Sequence, residues 1–430
     1  MRKRTIYCLC ALALCAAMFT PALGAEKAAK ETEPSKVSWE DLAERVRTGS
    51  FGALAVSEQI QQIESIDYDK MEKNLRDQIN EIGKLQSQIL GSAGGGAVDG
   101  TLPPASQNPG DIVNAAMNAA AMQAELSASM NALESAYNSL RPVYDDLRNG
   151  KTQKENTDTV RLLKDGVEQI VAGSQSLYLS ILSLEQTYAD GLRGIEAIDR
   201  SLTELRLRQQ LGQVSKQTVQ GLEQTRANTV TQMAALESNI ATCKAQLQSL
   251  MGEEPNGQLT LEGLPELEEA TLEALDLVAD LESAKEKSAE LFSAGKTLQD
   301  AKEDWATCGF APGNFRRVMA EHAWNAAQMT YQSKVQSFET GFQTLYRTIN
   351  DDRTAVQNKT EAVAYAETVL QSEKTRFDRG LISKNKLAEA QDNLTAAQSE
   401  LEGARLKLFQ DYHAYQNAVN LGILNQGGAQ

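Results

Sequence analysis

Residues 370–384 read LQSEKTRFDRGLISK, and residues 202–216, 168 positions earlier, read LTELRLRQQLGQVSK. The shift places Leu202 on Leu370, Arg208 on Arg376, Gly212 on Gly380, Val214 on Ile382, Ser215 on Ser383 and Lys216 on Lys384. In both, an apolar-periodic run stops at a glycine and restarts behind a serine. Glycine accepts the left-handed backbone that ends a helix, and serine caps the helix that follows. Each stretch reads as a tight reversal between two helices.

Outward from these turns the pattern is periodic. Val335, Phe342, Ile349, Val356, Val363, Leu370 and Phe377 recur at strict seven-residue spacing, and Ile181, Tyr188, Ile195 and Leu202 keep that phase in the first copy. After Gly380, Leu387, Leu394, Leu401 and Leu408 interleave with Ala390, Ala397 and Ala404. After Gly212 the matching residues are Val219, Leu222, Met233, Leu236, Ile240, Cys243, Leu247 and Leu250. A sustained period of 3.5 is coiled-coil packing rather than a globular helix face. No proline falls between Pro142 and Pro255 or after Pro312, so nothing interrupts long helices there. The expected fold is all-α, with long antiparallel coiled-coil hairpins in two tandem repeats. A helix of about 65 residues would span roughly 95 Å. Its seam is narrow and its outer faces are rich in Gln, Asn, Ser and Thr, which predicts association with further copies.

The remaining punctuation sets the boundaries. Residues 1–25 carry Arg2, Lys3 and Arg4, an apolar run from Thr5 to Thr20 and small residues near Ala25, the features of a secretory signal peptide. Cys15 follows Leu14, where a lipoprotein signal would want a small residue. Residues 26–36 read as a disordered linker and 37–252 as the first repeat, with a break near Gly49–Gly52 and a Gly/Pro-rich insertion at 91–110. An inter-repeat loop, 253–270, contains alternating Leu259 and Leu261, the pattern of a short strand. The second repeat is 271–423, with a loop at 308–314, and 424–430 is a disordered tail.

Composition excludes several functions. Two histidines, His322 and His413, in 430 residues leave little for histidine-based catalysis or metal binding. No GxxxxGK[ST] loop, nucleophile elbow or metal-ligand spacing occurs, and Gly91–Gly100 lacks a following Lys-Ser/Thr pair. The chain reads as a non-enzyme without cofactor. Removal of residues 1–25 leaves 39 basic against 58 acidic residues, which disfavours nucleic acid as a partner. No later run reaches 18 apolar residues. Cys243 and Cys308 remain in the exported chain; Cys243 lies on the seam, which favours unpaired thiols over a disulfide.

The sequence resembles the TolC-like outer-membrane efflux family. The likeness rests on Arg376-Phe377-Asp378-Arg379-Gly380-Leu381-Ile382-Ser383, followed by Leu387, Ala390-Gln391, Leu394 and Ala397-Gln398, and on the weaker copy from Arg208 to Ser215. The resemblance implies a homotrimer whose hairpins form a helical tunnel, the exit duct of an efflux or type I secretion system. It implies an outer-membrane and periplasmic location, a periplasmic adaptor and an inner-membrane pump as partners. Gly212, Val214, Ser215, Gly380, Leu381, Ile382 and Ser383 would form the adaptor-docking tip, and Glu223, Glu389 and Asp392 are the candidate gating acids. The alternative is a secreted or periplasmic coiled-coil structural or interaction protein without channel activity.

Two features depart from the family. A membrane β-hairpin needs strands of about 9–11 alternating residues, and neither 308–314 nor 91–110 offers them, so no β-barrel is visible. The first repeat also carries about 65 extra residues. One added helix would reverse the chain, which leaves the path of this insertion open.

Overall fold

The computed structural model describes residues 35–95, 109–309 and 315–424, with side chains described for all but 92–95 and 109–123. The expected signal peptide, most of the 26–36 linker, the centres of the 91–110 and 308–314 loops and residues 425–430 lie outside these. The chain begins with β1 (Ser35–Val37), α1 (Trp39–Gly49), α2 (Phe51–Glu64), α3 (Tyr68–Gly95) and α4 (Pro109–Arg148). The first long hairpin is α5 (Lys151–Gln210) and α6 (Lys216–Leu250). Then come β2 (Leu259–Leu261), α7 (Glu269–Glu273), α8 (Leu277–Lys287) and α9 (Ala289–Thr307). The second hairpin is α10 (Phe315–Asp378) and α11 (Lys384–Leu421). At a rise of about 1.5 Å per residue, α5 and α10 each extend roughly 90–95 Å.

The heptad rows form the seams. Phe342, Ile349 and Leu370 of α10 are buried, as are Ala390, Leu394, Leu401 and Leu408 of α11. Ile181 and Leu202 of α5 are buried, with Val219, Ile240 and Leu247 of α6. Phe377, the last residue of its row, is 37 % exposed because it has reached the turn. The all-α hairpin pair is as the periodicity dictates.

Each repeat has its own core where short helices dock on the long hairpin. Val37, Leu42, Val46, Val171, Tyr178, Ile181, Ile240, Leu247, Met251 and Leu259 form the first. Leu272, Ala284, Leu291, Phe338, Phe342, Ile349, Leu408, Tyr415 and Ala418 form the second. Burying a tyrosine requires a partner for its hydroxyl. Tyr178 donates to the carbonyls of Glu262 (2.6 Å) and Val37 (3.2 Å), and Tyr415 to Asp280 Oδ2 (2.7 Å). Trp39 joins the repeats, its ring meeting those of Phe409 and His413 edge-on at 5.1 and 4.7 Å.

The same joint is built twice. A single buried serine, Ser50 or Ser288, separates α1 from α2 and α8 from α9. The glycine ending the returning helix pushes into each break. A Cβ on Gly252 (φ 73°) would lie 2.2 Å from the Gly49 carbonyl oxygen, and one on Gly422 (φ 67°) 2.3 Å from the Ser288 nitrogen. Neither site has room for a side chain.

Several boundaries differ from the sequence expectation. Ser35 and Lys36, placed in the linker, pair as a parallel strand with Leu259 and Thr260. The first repeat breaks at Ser50, as expected near Gly49–Gly52, and again at 65–67, where Asp67 Oδ1 accepts the Lys70 amide (2.9 Å) and starts a new helix. The second repeat, before its 308–314 loop, is three helices, interrupted at 274–276 and at Ser288. The 91–110 insertion loop is shorter, because α3 runs to Gly95 and α4 starts at Pro109. Leu424, assigned to the tail, packs against the second core.

The insertion is a pair of helices. Ser50 and Ser288 lie 238 residues apart, Gly212 and Gly380 168, so the first repeat holds 70 extra residues. They supply most of α3 and α4, which pack on each other. Two helices restore the chain direction that one would have reversed. Asn156 Nδ2 of α5 donates to Tyr68 Oη at the start of α3 (2.9 Å), so the insertion leaves and rejoins the body at neighbouring points.

The paired turns as a candidate docking tip

Gly212 (φ 73°) and Gly380 (φ 72°) both adopt the left-handed conformation. The following amides reach back over the helix end, Gln213 N to Arg208 O (2.8 Å) and Leu381 N to Arg376 O (2.9 Å). This is the Schellman closure, which satisfies carbonyls left over at the helix terminus. Ser215 Oγ then accepts the Thr218 amide (3.1 Å) and Ser383 Oγ the Lys386 amide (3.3 Å). The two copies are stereochemically the same turn.

Register between the hairpins brings the turns together. Asn385 Nδ2 of α11 donates to Glu204 Oε2 of α5 (2.6 Å), and Arg200 pairs with Asp392. Farther from the tip, Ser399 Oγ donates to Asp190 Oδ2 (2.7 Å), and His413 Nε2 meets Gln175 Oε1 (2.9 Å). As numbers fall along α5 they rise along α11, so the helices are antiparallel and both turns lie at one end.

Most of the predicted tip residues are exposed. Leu381 is 65 % exposed, and so is Leu211, which the sequence reading did not single out. Gly212, Ser215, Gly380 and Ser383 are exposed, while Val214 and Ile382 are half-buried. Leu207 adds a further exposed apolar side chain at 58 %. Around them stand Arg208, Lys216, Arg376, Arg379, Lys384 and Lys386. Of these, Arg208, Arg376 and Lys386 are each paired with a carboxylate, Glu204, Glu373 and Glu389.

The three candidate gating acids do not converge. Glu223 accepts from Arg206 (2.7 Å), within the first hairpin, and Glu389 pairs with Lys386 (2.9 Å), within α11. That pairing raises the Lys386 pKa through a hydrogen bond from its ammonium to Glu389. Only Asp392 bridges the hairpins. Nearby, Asp199 lies below the usual carboxylate range because Arg226 donates to both of its oxygens (2.5 and 3.0 Å). Arg200, Glu204 and Asn385, which link the hairpins, were not among the predicted residues. Among the described residues, no group of three His, Cys, Asp or Glu side chains is placed to hold a metal, and no helix is long and apolar enough to cross a membrane.

No family model matches the chain, and no curated protein matches it. Several solved structures are similar. One is the outer membrane protein VceC of Vibrio cholerae, at 15 % identity over 64 % of this chain and 77 % of that one, TM-score 0.43. Another is the Campylobacter jejuni CmeC outer membrane channel, at 10 % identity over 68 % and 70 %, TM-score 0.48. A third is CusC, described in terms of transmembrane channel formation, at 14 % identity over 80 % and 95 %, TM-score 0.45. Two of these three are outer-membrane proteins by name.

Proposed function

We propose that the chain is the exit-duct subunit of an envelope-spanning efflux or type I secretion system. Three copies form a helical channel, the paired turns dock a periplasmic adaptor, and the adaptor couples the duct to an inner-membrane pump. The protein acts in the cell envelope, at the outer membrane and periplasm, without catalysis or cofactor. The observation that carries this reading is the side-by-side placement of two identical turns that expose Leu211 and Leu381 at one end of long coiled-coil arms. Large exposed apolar residues at a fixed, rigid turn favour docking to another protein.

One observation favours the second reading, a secreted helical rod. Among the described residues, strand is confined to β1 and β2, which pair with each other. Electron microscopy of the purified exported chain separates the two readings. A hollow trimer supports the duct, and an isolated monomeric rod removes it. Replacing Leu211 and Leu381 together with Ser should then abolish export while leaving the trimer intact.

A further inference from the structure

Asp352 lies in α10, three residues after the buried Ile349, and its side chain is only 9 % exposed. Lys407 Nζ, across the seam on α11, donates to Asp352 Oδ1 at 2.5 Å. Asp352 Oδ2 is buried and has no hydrogen-bond partner among the described residues. One turn beyond Lys407 stands Asp411, whose Oδ2 is 3.6 Å from the same ammonium. Two carboxyl groups thus share one cation. A buried acceptor without a donor is costly, and two carboxylates at one site disfavour double ionisation.

A neutral carboxylic acid would supply the missing donor. We propose that Asp352 and Asp411 form a proton-binding site, with one proton on Asp411 donated to Asp352 Oδ2 beside Lys407, tying α10 to α11. The proton comes from solvent, since Asp411 lines an open cleft of about 760 Å³ together with Thr344, Thr348 and Gln410. Burial, then the neighbouring Asp352, pushes the Asp411 carboxyl up to about 6, against a weaker opposing pull from Lys407.

The other ionisable groups on the packed helices are directed elsewhere. On α10, Arg353 turns to Glu269 and Glu273, and Arg347 and Asp351 are exposed. On α11, Arg405 pairs with Glu402, Tyr412 accepts from Gln416, and His413 contacts Gln175 and Asn417. On α8, Asp280 accepts from Tyr415, and Lys285 is held by Glu282 and Glu339. The charged groups that bear on Asp411 are Asp352 and Lys407.

The sign of the effect follows from linkage. A carboxyl raised in the folded state favours folding most when protonated, and that contribution is lost as pH rises from about 4 through about 6. The test uses the full exported chain, as wild type, Asp411→Asn, Asp352→Asn and Lys407→Met. The infrared difference between wild type and Asp411→Asn should show a protonated-carboxyl band at pH 5 that disappears by pH 8. The melting temperature of wild type relative to Asp411→Asn should rise as pH falls from 7 to 5. Lys407→Met should move the infrared transition upward by about one pH unit or more, and Asp352→Asn should move it downward. If Asp411→Asn does not fold, the Lys407→Met shift decides. Parallel melting curves without the band, or a transition that ignores Lys407, would overturn the site.

Discussion

Glu204 of α5 and Asn385 of α11 meet 2.6 Å apart, eight residues before Gly212 and five after Gly380. This contact, with Arg200 and Asp392 one to two turns farther in, fixes the height of one turn against the other. Both pairs are solvent-exposed, so their worth is small. Glu204→Ala should lower stability by only about 0.2–1 kcal/mol, with circular dichroism unchanged. A loss of several kcal/mol in chemical denaturation would mean that the seam depends on this pair far more than its exposure suggests.

The two tip glycines should respond alike in stability. A Cβ at either position meets nothing within 4 Å, so the cost of Gly212→Val or Gly380→Val is backbone strain alone, about 1–3 kcal/mol. Helix content should barely move in either variant. On the duct reading, export activity falls at normal abundance, and more for Gly380→Val, whose turn carries the complete Arg-Gly-Leu-Ile-Ser sequence. Full activity of Gly380→Val in complementation would leave the tip as a turn and nothing more.

Glycines elsewhere should divide sharply. Gly422→Ala places a methyl 2.3 Å from a backbone nitrogen, in a left-handed residue, and should be among the most damaging single changes, at roughly 3 kcal/mol or more. Gly83→Ala, within α3 and with open space around it, should stabilise, by about 0.5–1 kcal/mol. Melting temperatures of the two variants should move in opposite directions.

His413 gives a pH dependence of its own. Burial pushes its pKa from 6.5 down to about 4. A depressed histidine contributes stability that is present above its unfolded pKa and lost as pH falls through its folded one, so acidification from 7 to 4 should weaken the fold through this residue. Asp411, two residues earlier, acts with the opposite sign over much of that range. His413→Gln should therefore be less acid-sensitive than wild type. An unchanged slope of melting temperature against pH would remove the assignment.

Both cysteines should react with an alkylating reagent without prior reduction. Cys243 and Cys308 are unbonded, and each is partly exposed. Mass spectrometry of the unreduced protein should find no peptide linking them.

The hairpins were legible because their signals are local and repeated. Leu370, Gly380 and Ser383 each declare a seam, a reversal and a cap within one short stretch, and the copy at Leu202, Gly212 and Ser215 confirms the reading. The joints were half legible. Gly49 flags the break at Ser50, but Ser288 breaks its helix with neither proline nor glycine beside it, and the glycine that meets each break arrives from far along the chain. The site was half legible for a similar reason. Gly212 and Gly380 announce the turns, but the partner of Asp392 is Arg200, 192 residues away, and only the register between hairpins selects it. Glu223 and Glu389 look equivalent to Asp392 in sequence, yet their cations lie within their own hairpin or helix.

The point where Tyr68 touches Asn156 has a further meaning. There the chain departs into α3 and returns from α4 almost to where it left. In the second repeat the corresponding connection is the short one across 308–314, between α9 and α10. One polypeptide therefore holds the plain form of the repeat and the embellished form side by side, and serves as its own control. A segment that begins and ends at adjacent points is modular: its removal need not disturb register, handedness or either core. Replacing residues 70–146 with the Cys308–Asn314 connection should leave two matching repeats, and the helical pair excised could be exchanged for another of different length without moving the glycine turns at the far end.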